Sequence, residues 1–336
     1  MYDSLPIGKL PPDLLRRLVT DVPIDSDDVI IGPGIGFDCA VIKTDENYVV
    51  STSDPITFTS ENAGWYMVNI NANDIATSGA RPRWLISTLL LPAGKTTEPV
   101  VEEITRQIRE TCEEYDIEII GGHTEITSGL ERPILIGTMM GEISPDRLIT
   151  PKDVQVDDRI LLTKGVPLEA TAILSREFPG RLEQTISPAE IQTAREFLFD
   201  PGISVLRDAT LACQAGNVTG MHDPTEGGLY AALWELAQAC GHTLAVYQES
   251  VNVYQISRRI CDLFDIDPLG AIASGSLLLT VDPADADKVC NTLRGEGIPC
   301  AEIGIVQRGD PVVVHPDRED ELYPYPERDE ITKAYE

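Results

Sequence analysis

VNINANDIATSGARP, residues 68–82, sets Asn69, Asn73 and Asp74 in an apolar helical frame that stops abruptly at Gly79-Ala80-Arg81-Pro82. Positions 69 and 73 are i and i+4, so the two amides share one helix face, with Asp74 beside them. Ala72, Ala76, Ser78 and Gly79 are small enough to let a ligand or a second backbone come close. Amides and a carboxylate on neighbouring turns of an apolar helix carry a burial penalty unless something polar docks there. The pattern points to a metal-phosphate site carried on a helix. Taken alone, Asn73-Asp74 also reads as a solvated helix face.

Around this helix, apolar periodicity alternates between strand and helix, an α/β reading. Strand-like runs lie at Ala40–Lys43, Tyr48–Thr52, Trp84–Leu91, Ile117–Ile120 and Ile134–Gly141, and helical runs at Leu14–Val19, Ala63–Ser78 and Pro99–Tyr115. The polar stretch Ile149–Asp158 reads as a linker. Beyond it come strands at Arg159–Thr163, Thr243–Tyr247, Ser276–Val281 and Ala301–Val306. Helices are expected from Pro167 and over Ala189–Leu198, Ser204–Gln214 and Gly228–Cys240. The organisation is therefore an N-terminal domain over 1–150, a C-terminal domain over 151–315 and an extended acidic tail over 316–336.

The chain of 336 residues carries 55 acidic against 26 basic residues, a net charge of −29. That field repels nucleic acid and anionic membranes, and neither is expected as a partner. Spread along the whole chain and combined with scarce lysine, the charge reads as adaptation to a high-salt (halophilic) cytoplasm, where screening shortens self-repulsion. Seven cysteines without a CxxC pair argue for reduced thiols in a cytoplasmic protein rather than a disulfide framework or zinc site. No basic-then-apolar leader opens the chain, and no apolar run approaches a membrane span.

Further carboxylates stand where strands end. Asp38 follows the glycine-rich Gly32–Phe37 and precedes a strand; Asp54 precedes Pro55 after VVSTS; Glu125 follows Gly121-Gly122-His123-Thr124 after IEII. Gathered together, such groups stay ionised only beside a cation. Magnesium takes hard oxygen ligands and bridges carboxylates to phosphates, which is what phosphoryl transfer requires. Any one of these aspartates alone is equally an ordinary turn residue. His123 reads either as a ligand or as a hydrogen-bonded structural residue. Lys9, following Gly8, is either a solvated lysine or a group that reaches a phosphate. In the second half, His222-Asp223-Pro224-Thr225-Glu226-Gly227-Gly228 reads as a strand-to-helix turn, with Asp223 or Thr225 capping the helix and an anion site at its N-terminus. Ala273-Ser274-Gly275-Ser276 repeats the small-residue approach to backbone.

In order along the chain, GFDCAVI, STSDPITF, NANDIATSGARP, GGHTEIT, DPTEGGL and ASGSLLL resemble the AIR synthase superfamily, which includes AIR synthetase, the hydrogenase maturation protein HypE, thiamine-monophosphate kinase and selenophosphate synthetase. The resemblance runs from about Gly8 to Val306. It implies an α/β N-terminal domain whose sheet forms a barrel across a homodimer, an α+β C-terminal domain, and ATP bound with Mg2+. On its terms Asp38, Asp54, Asp74 and Glu125 are metal ligands. Asp38, Asn69, Asn73, Gly121, Gly122, Thr124, Asp223, Glu226 and Gly227 contact the nucleotide or substrate, and Asp74 and Lys9 are catalytic. DPTEGGL is most similar to HypE, but HypE carries its reacting group on a C-terminal cysteine, whereas this chain ends ITKAYE with Cys300 as its last cysteine. Thiamine-monophosphate kinases have Asp at the position of His123 and Asp-Gly at Glu226-Gly227. Selenophosphate synthetases carry a reactive cysteine or selenocysteine ahead of their lysine, and none precedes Lys9. The expectation is a HypE-like, ATP- and magnesium-dependent enzyme that activates a small-molecule or protein-borne acceptor. The alternatives are a thiamine-monophosphate kinase-like phosphotransferase and a nucleotide-binding maturation or assembly scaffold.

Overall fold

The computed structural model describes residues 5, 8–57, 61–323 and 325–336. Residues 1–4, 6 and 7, on which the reading of the N-terminus falls, lie outside them, as do 58–60 and Pro324. The described chain divides into two compact units: residues 24–32 with 38–148, and residues up to 23 with 33–37 and 149–336.

The first unit contains β1 (Val29–Ile31), β2 (Ala40–Lys43), β3 (Tyr48–Ile56), α2 (Ala63–Thr77), β4 (Arg81–Pro92), α3 (Glu98–Tyr115), β5 (Glu118–Thr127) and β6 (Ile134–Ile143). Its six strands run in the order β1-β2-β3-β6-β4-β5. Only β4–β5 is parallel, because α3 is the crossover that parallel strands need. Burial alternates perfectly along β6, so one sheet face is covered. The cover is α2, where every residue but Trp65 is buried; a helix apolar on all sides belongs in a core. Glycines make that close approach possible. A Cβ on Gly137 of β6 would stand 2.6 Å from Asn71 Nδ2, and one on Gly64 of α2 2.5 Å from the Ile104 carbonyl of α3. The edge strand β5 is exposed along nearly its whole length, with Ile119, Ile120 and Ile126 open to solvent.

The second unit contains α1 (Pro12–Thr20), β7 (Arg159–Thr163), α4 (Leu168–Glu177), α5 (Pro179–Leu182), α6 (Pro188–Arg195), α7 (Leu206–Ala215), β8 (Val218–His222), α8 (Gly228–Cys240), β9 (Thr243–Val246), α9 (Gln255–Leu263), β10 (Leu278–Val281), α10 (Ala286–Gly295), β11 (Cys300–Gln307), β12 (Val313–His315) and β13 (Arg318–Leu322). Seven strands run β13-β12-β9-β11-β7-β10-β8. Strands β8, β9 and β10 are buried at every position. One core packs α8 on the sheet through Leu229, Leu233 and Leu236; a second gathers α4, α6 and α9.

Three expectations are corrected. The stretch Gly121–Glu125, read as a loop after a strand, lies inside β5; its glycines sit flat beside β4, where a Cβ on Gly122 would meet the Ser87 carbonyl at 2.3 Å. The linker reading of Ile149–Asp158 gives way to packed structure, with Val154 in the core and Asp158 accepting from Gln155 N and Thr219 Oγ1. The acidic tail is packed as well: β13 pairs with β12, Tyr323 is in the core, and Ile331 and Ala334 bury against α4 and α9. Its spacing of apolar residues is irregular, so only the surfaces that receive it reveal the packing. Strands β1, β8, β12 and β13 are too short to show a period, and α5, α9 and α10 fall between the expected runs.

Candidate functional site

In the first unit, Asp74 sits on the buried helix and is 5% exposed. Thr52 of β3 donates its hydroxyl to Asp74 Oδ2 at 2.6 Å. The Asp74 carbonyl accepts from Thr77 Oγ1 at 2.7 Å and from the Cys39 thiol at 3.0 Å, which ties the residue next to half-buried Asp38 to the same turn of helix. Asp54 is brought to that helix by Asn71. The amide oxygen of Asn71 accepts from Asp54 N at 3.0 Å, and its nitrogen donates to Asp54 O and Met67 O. Asp74 is thus held by a hydroxyl of β3 and Asp54 is tied to α2 through its main chain, while Asp38 stands next to Cys39, whose thiol reaches the same helix. Hard oxygen donors of this kind suit magnesium.

Asn69 is fully buried and faces α3: Nδ2 donates to Trp65 O at 2.9 Å and Oδ1 accepts from Tyr115 Oη at 2.8 Å. Asn73 is also fully buried. Sequence reasoning passed over Thr52 and Asn71, the two residues that fix the aspartates. Asn71 lies inside the opening stretch, and its signal was a third amide on the same helix, which meets Asp54 of β3 and lies against Gly137 of β6.

Glu125 is not brought to these aspartates within one chain. Asp54 is paired with Gly137, Gly137 with Ser87, and Ser87 with Gly122. Three strand spacings of ~4.8 Å separate Asp54 from Gly122 by roughly 14 Å, far beyond ligands that share one cation. Gly121, Gly122, Thr124 and Glu125 therefore form a separate exposed row, on which His123 Nε2 lies 3.5 Å from Glu125 Oε2. A cavity of about 430 Å³ in this unit is elsewhere too, lined by Arg81, Arg83, Trp84, Asp116, Glu118 and Glu142 among others. Its arginines are already paired, Arg81 with Asp116 at 2.5 Å and Arg83 with Glu142 at 2.7 Å.

In the second unit, β8 ends at His222 and the chain turns through Asp223-Pro224-Thr225-Glu226-Gly227 into α8. Neither Asp223 nor Thr225 caps the helix. Gly227 is the N-cap in the left-handed region (φ +80°), and Gly228 follows at φ +61°. A Cβ on Gly228 would meet the Leu269 and Ala271 carbonyls at 2.6 Å, so glycine is required there on two counts. The Gly227 N–H donates to Asp329 Oδ2 at 2.7 Å, while Asp329 Oδ1 accepts from Ile331 N and Ile272 N. The chain's own tail thus supplies the anion at the expected anion site. Burial pushes Asp329 up to about 6 against the pull of those three N–H groups, and Glu226 adds to the rise.

Glu169 of α4 lies near the same acids. Burial pushes it up to about 8; Ser274 pulls it down, although neither Ser274 Oγ nor Glu169 Oε2 closes a hydrogen bond. On the other side of the turn, Lys9 Nζ donates to Thr225 Oγ1 at 3.2 Å and lies 3.5 Å from Glu235 Oε1. Glu235 Oε2 is 2.9 Å from His222 Nε2. Burial would raise Glu235, but Lys9 and His222 outweigh it and hold the carboxyl at about 2. Lys9 is therefore the cation of a Lys9–Glu235–His222 chain as well as a neighbour of the turn. Glu235, which pairs with Lys9, and Asp329, which accepts from Gly227 N, had no motif to announce them. The Ala273–Ser276 segment is a close approach as expected: Gly275 stands at φ +111°, its carbonyl accepts from buried Lys164 Nζ at 2.9 Å, and Lys164 pairs with Asp208 at 3.2 Å.

Residues 36–143 match the N-terminal domain of the AIR synthase related proteins and residues 155–316 match their C-terminal domain, so the chain belongs to that family. Among its relatives is a protein provisionally named for hydrogenase expression and formation from Methanocaldococcus jannaschii, 28% identical over 295 residues, covering 84% of this chain and 83% of the relative. Carbamoyl dehydratase HypE of Bradyrhizobium diazoefficiens is also 28% identical, over 270 residues, covering 79% of this chain and 73% of that protein. The fold matches a solved structure of the hydrogenase maturation protein HypE in complex with ATP, with a TM-score of 0.71 at 21% identity, covering 94% and 95% of the two chains.

Proposed function

We propose that this chain is a HypE-like, ATP- and magnesium-dependent enzyme of the cytoplasm that phosphorylates and thereby activates an acceptor, a small molecule or a group borne by a partner protein. The observation that carries the reading is Asp74, a carboxylate held almost out of water on a buried helix by Thr52, with Asp54 tied to the same helix and Asp38 next to Cys39, which also reaches it. Asp38, Asp54 and Asp74 would hold magnesium, which when bound offsets the charge on the transferring phosphoryl group. The work of the chain itself is positioning. Thr52 and Asn71 keep the aspartates from rotating, α2 excludes water behind them, and Lys9 with the Thr225–Gly227 turn places the acceptor or phosphate. Asn73 orients nucleotide or substrate, while Asn69 keeps α3 seated on α2.

The row Gly121–Glu125 enters this reading through a homodimer. The sheet of the first unit has an exposed apolar edge at β5, which is a liability unless covered. A second copy closing the sheets into a barrel covers it and carries that row toward its partner's aspartates. Light scattering checks this: a monomer at micromolar concentration breaks it.

Asp74→Asn tests the main reading. Magnesium-dependent ATP affinity, measured by calorimetry, is expected to fall at least ~30-fold, about 2 kcal/mol for one lost charged ligand. Unchanged affinity together with unchanged ADP release overturns the site. Phosphate transfer to thiamine monophosphate would establish the kinase reading instead. ATP binding without ADP release, alone and with candidate acceptors, would establish the scaffold.

A further inference from the structure

Cys290 on α10 and Cys300 at the start of β11 face each other across the connection between those elements, with their Sγ atoms 3.1 Å apart. A disulfide bond is ~2.05 Å long, so the sulfurs stand about 1 Å short of bonding distance. The backbone that carries them is fixed around this contact. Arg294 Nε donates to Cys300 O at 2.8 Å, Ile298 N to Leu293 O at 2.9 Å, and Lys164 N to Pro299 O at 2.6 Å. Cys300 is also paired in register with Thr163 of β7. Both thiols are buried, but the connection between them passes through exposed Gly295, Glu296 and Gly297.

The two thiols are chemically unequal. The adjacent Cys300 thiol, with help from Arg294, holds the Cys290 thiol below its ordinary value despite burial. The same contact pushes Cys300 up. Buried Cys112 and Cys261 lack such a neighbour, and burial pushes both up to about 12. A thiolate is the nucleophile in thiol oxidation, so selectivity among these cysteines falls to Cys290.

We propose that Cys290 and Cys300 are a peroxide-oxidisable dithiol, with Cys290 the attacking and Cys300 the resolving sulfur. The Cys290 thiolate attacks one oxygen of hydrogen peroxide, the O–O bond breaks, and hydroxide leaves and is protonated to water; Cys290 becomes a sulfenic acid. Cys300 then attacks Cys290 Sγ, the S–O bond breaks, and a second water leaves. Two thiols and one peroxide give one disulfide and two waters, sulfur being oxidised and peroxide reduced. A thiol reductant returns the pair to its starting state.

The site lies apart from the ATP reading and needs no nucleotide to test it. The full chain is treated with equimolar to tenfold hydrogen peroxide and its intact mass and peptide map are read. The expected result is a loss of about 2 Da, reversed by dithiothreitol, with one Cys290–Cys300 cross-linked peptide and a melting temperature raised by several degrees. Cys300→Ser is expected to stop at a sulfenic acid on Cys290 that dimedone traps, and Cys290→Ser to give neither product. Oxidation that gains oxygen without cross-linking, a disulfide on other cysteines, or a trapped sulfenic acid in Cys290→Ser overturns the proposal. The wild-type peptide map decides it even if a variant fails to fold.

Discussion

The two units of the chain hold their carboxylates by different means. In the first unit, Asp74 and its supports lie close in sequence: Thr52, Asn71 and Thr77 are all within 22 residues, on one strand and one helix. The Asp74 carboxylate is met by a neutral hydroxyl and the Asp54 main chain by an amide, and the glycines of β6 let the helix sit close enough for this. In the second unit, the turn at Gly227 is assembled from residues far apart. Asp329 reaches it across 102 residues and Lys9 reaches Glu235 across 226. There the acids are buried against one another or against cations, and their ionisation shifts in both directions, Glu169 and Asp329 upward and Glu235 downward. A local scaffold can present carboxylates to an outside cation; a long-range one must balance its own charges first.

The sharpest way to break that contrast is through the glycines. Gly228→Ala puts a Cβ on two carbonyls in a left-handed backbone, and a loss of about 3–4 kcal/mol is expected by urea unfolding. Gly121→Ala on β5 meets nothing within 4 Å in its own chain and is expected to stay within ~0.5 kcal/mol when unfolding is followed on the monomer. Equal effects would mean that the turn is not as tightly packed as its contacts indicate.

Next comes Glu169→Gln. A carboxyl whose folded value is raised stabilises fully below its unfolded value, and that contribution is lost as pH rises through the folded one. For Glu169 the window runs from 4.5 to about 8. The wild type should therefore lose stability relative to Glu169→Gln across that range, on the order of 3 kcal/mol at its upper end. A melting-temperature difference that stays flat from pH 5 to pH 8 would show that Glu169 is not buried ionisable charge.

Asp329→Ala leaves three backbone N–H groups without their acceptor, and a loss of about 2–3 kcal/mol is expected, with faster amide exchange at Gly227. Asp329→Asn keeps an acceptor and should recover part of it; if both variants match wild type, the tail does not hold the turn. Thr52→Val, in the first unit, removes one charge-assisted hydrogen bond and should cost about 1.5–2 kcal/mol. Its magnesium-dependent ATP affinity should fall while the second unit's exchange protection is unchanged. A reversed pattern would erase the distinction between the halves.

Much of the fold was legible where the sequence is periodic. The apolar frame of residues 63–78 became α2 almost residue for residue, because a helix buried on all sides needs no partner to declare it. The strand-like run Ile134–Gly141 likewise became most of β6. What was missed is short or non-periodic: β8, the tail, and the supports Thr52, Asn71, Glu235 and Asp329. A hydroxyl or carboxyl that acts on a distant backbone group leaves no local pattern.

By itself the sequence determined the alternation of helices and strands, the family, and the presence of a carboxylate beside amides in a largely apolar helix, since spacing and composition are properties of neighbours along the chain. Only the tertiary structure decided that Glu125 lies three strands from Asp54, that Asp329 occupies the N–H of Gly227, and that Cys290 meets Cys300. Those facts depend on register and on chain segments meeting across tens to hundreds of residues, which packing sets and spacing alone does not encode.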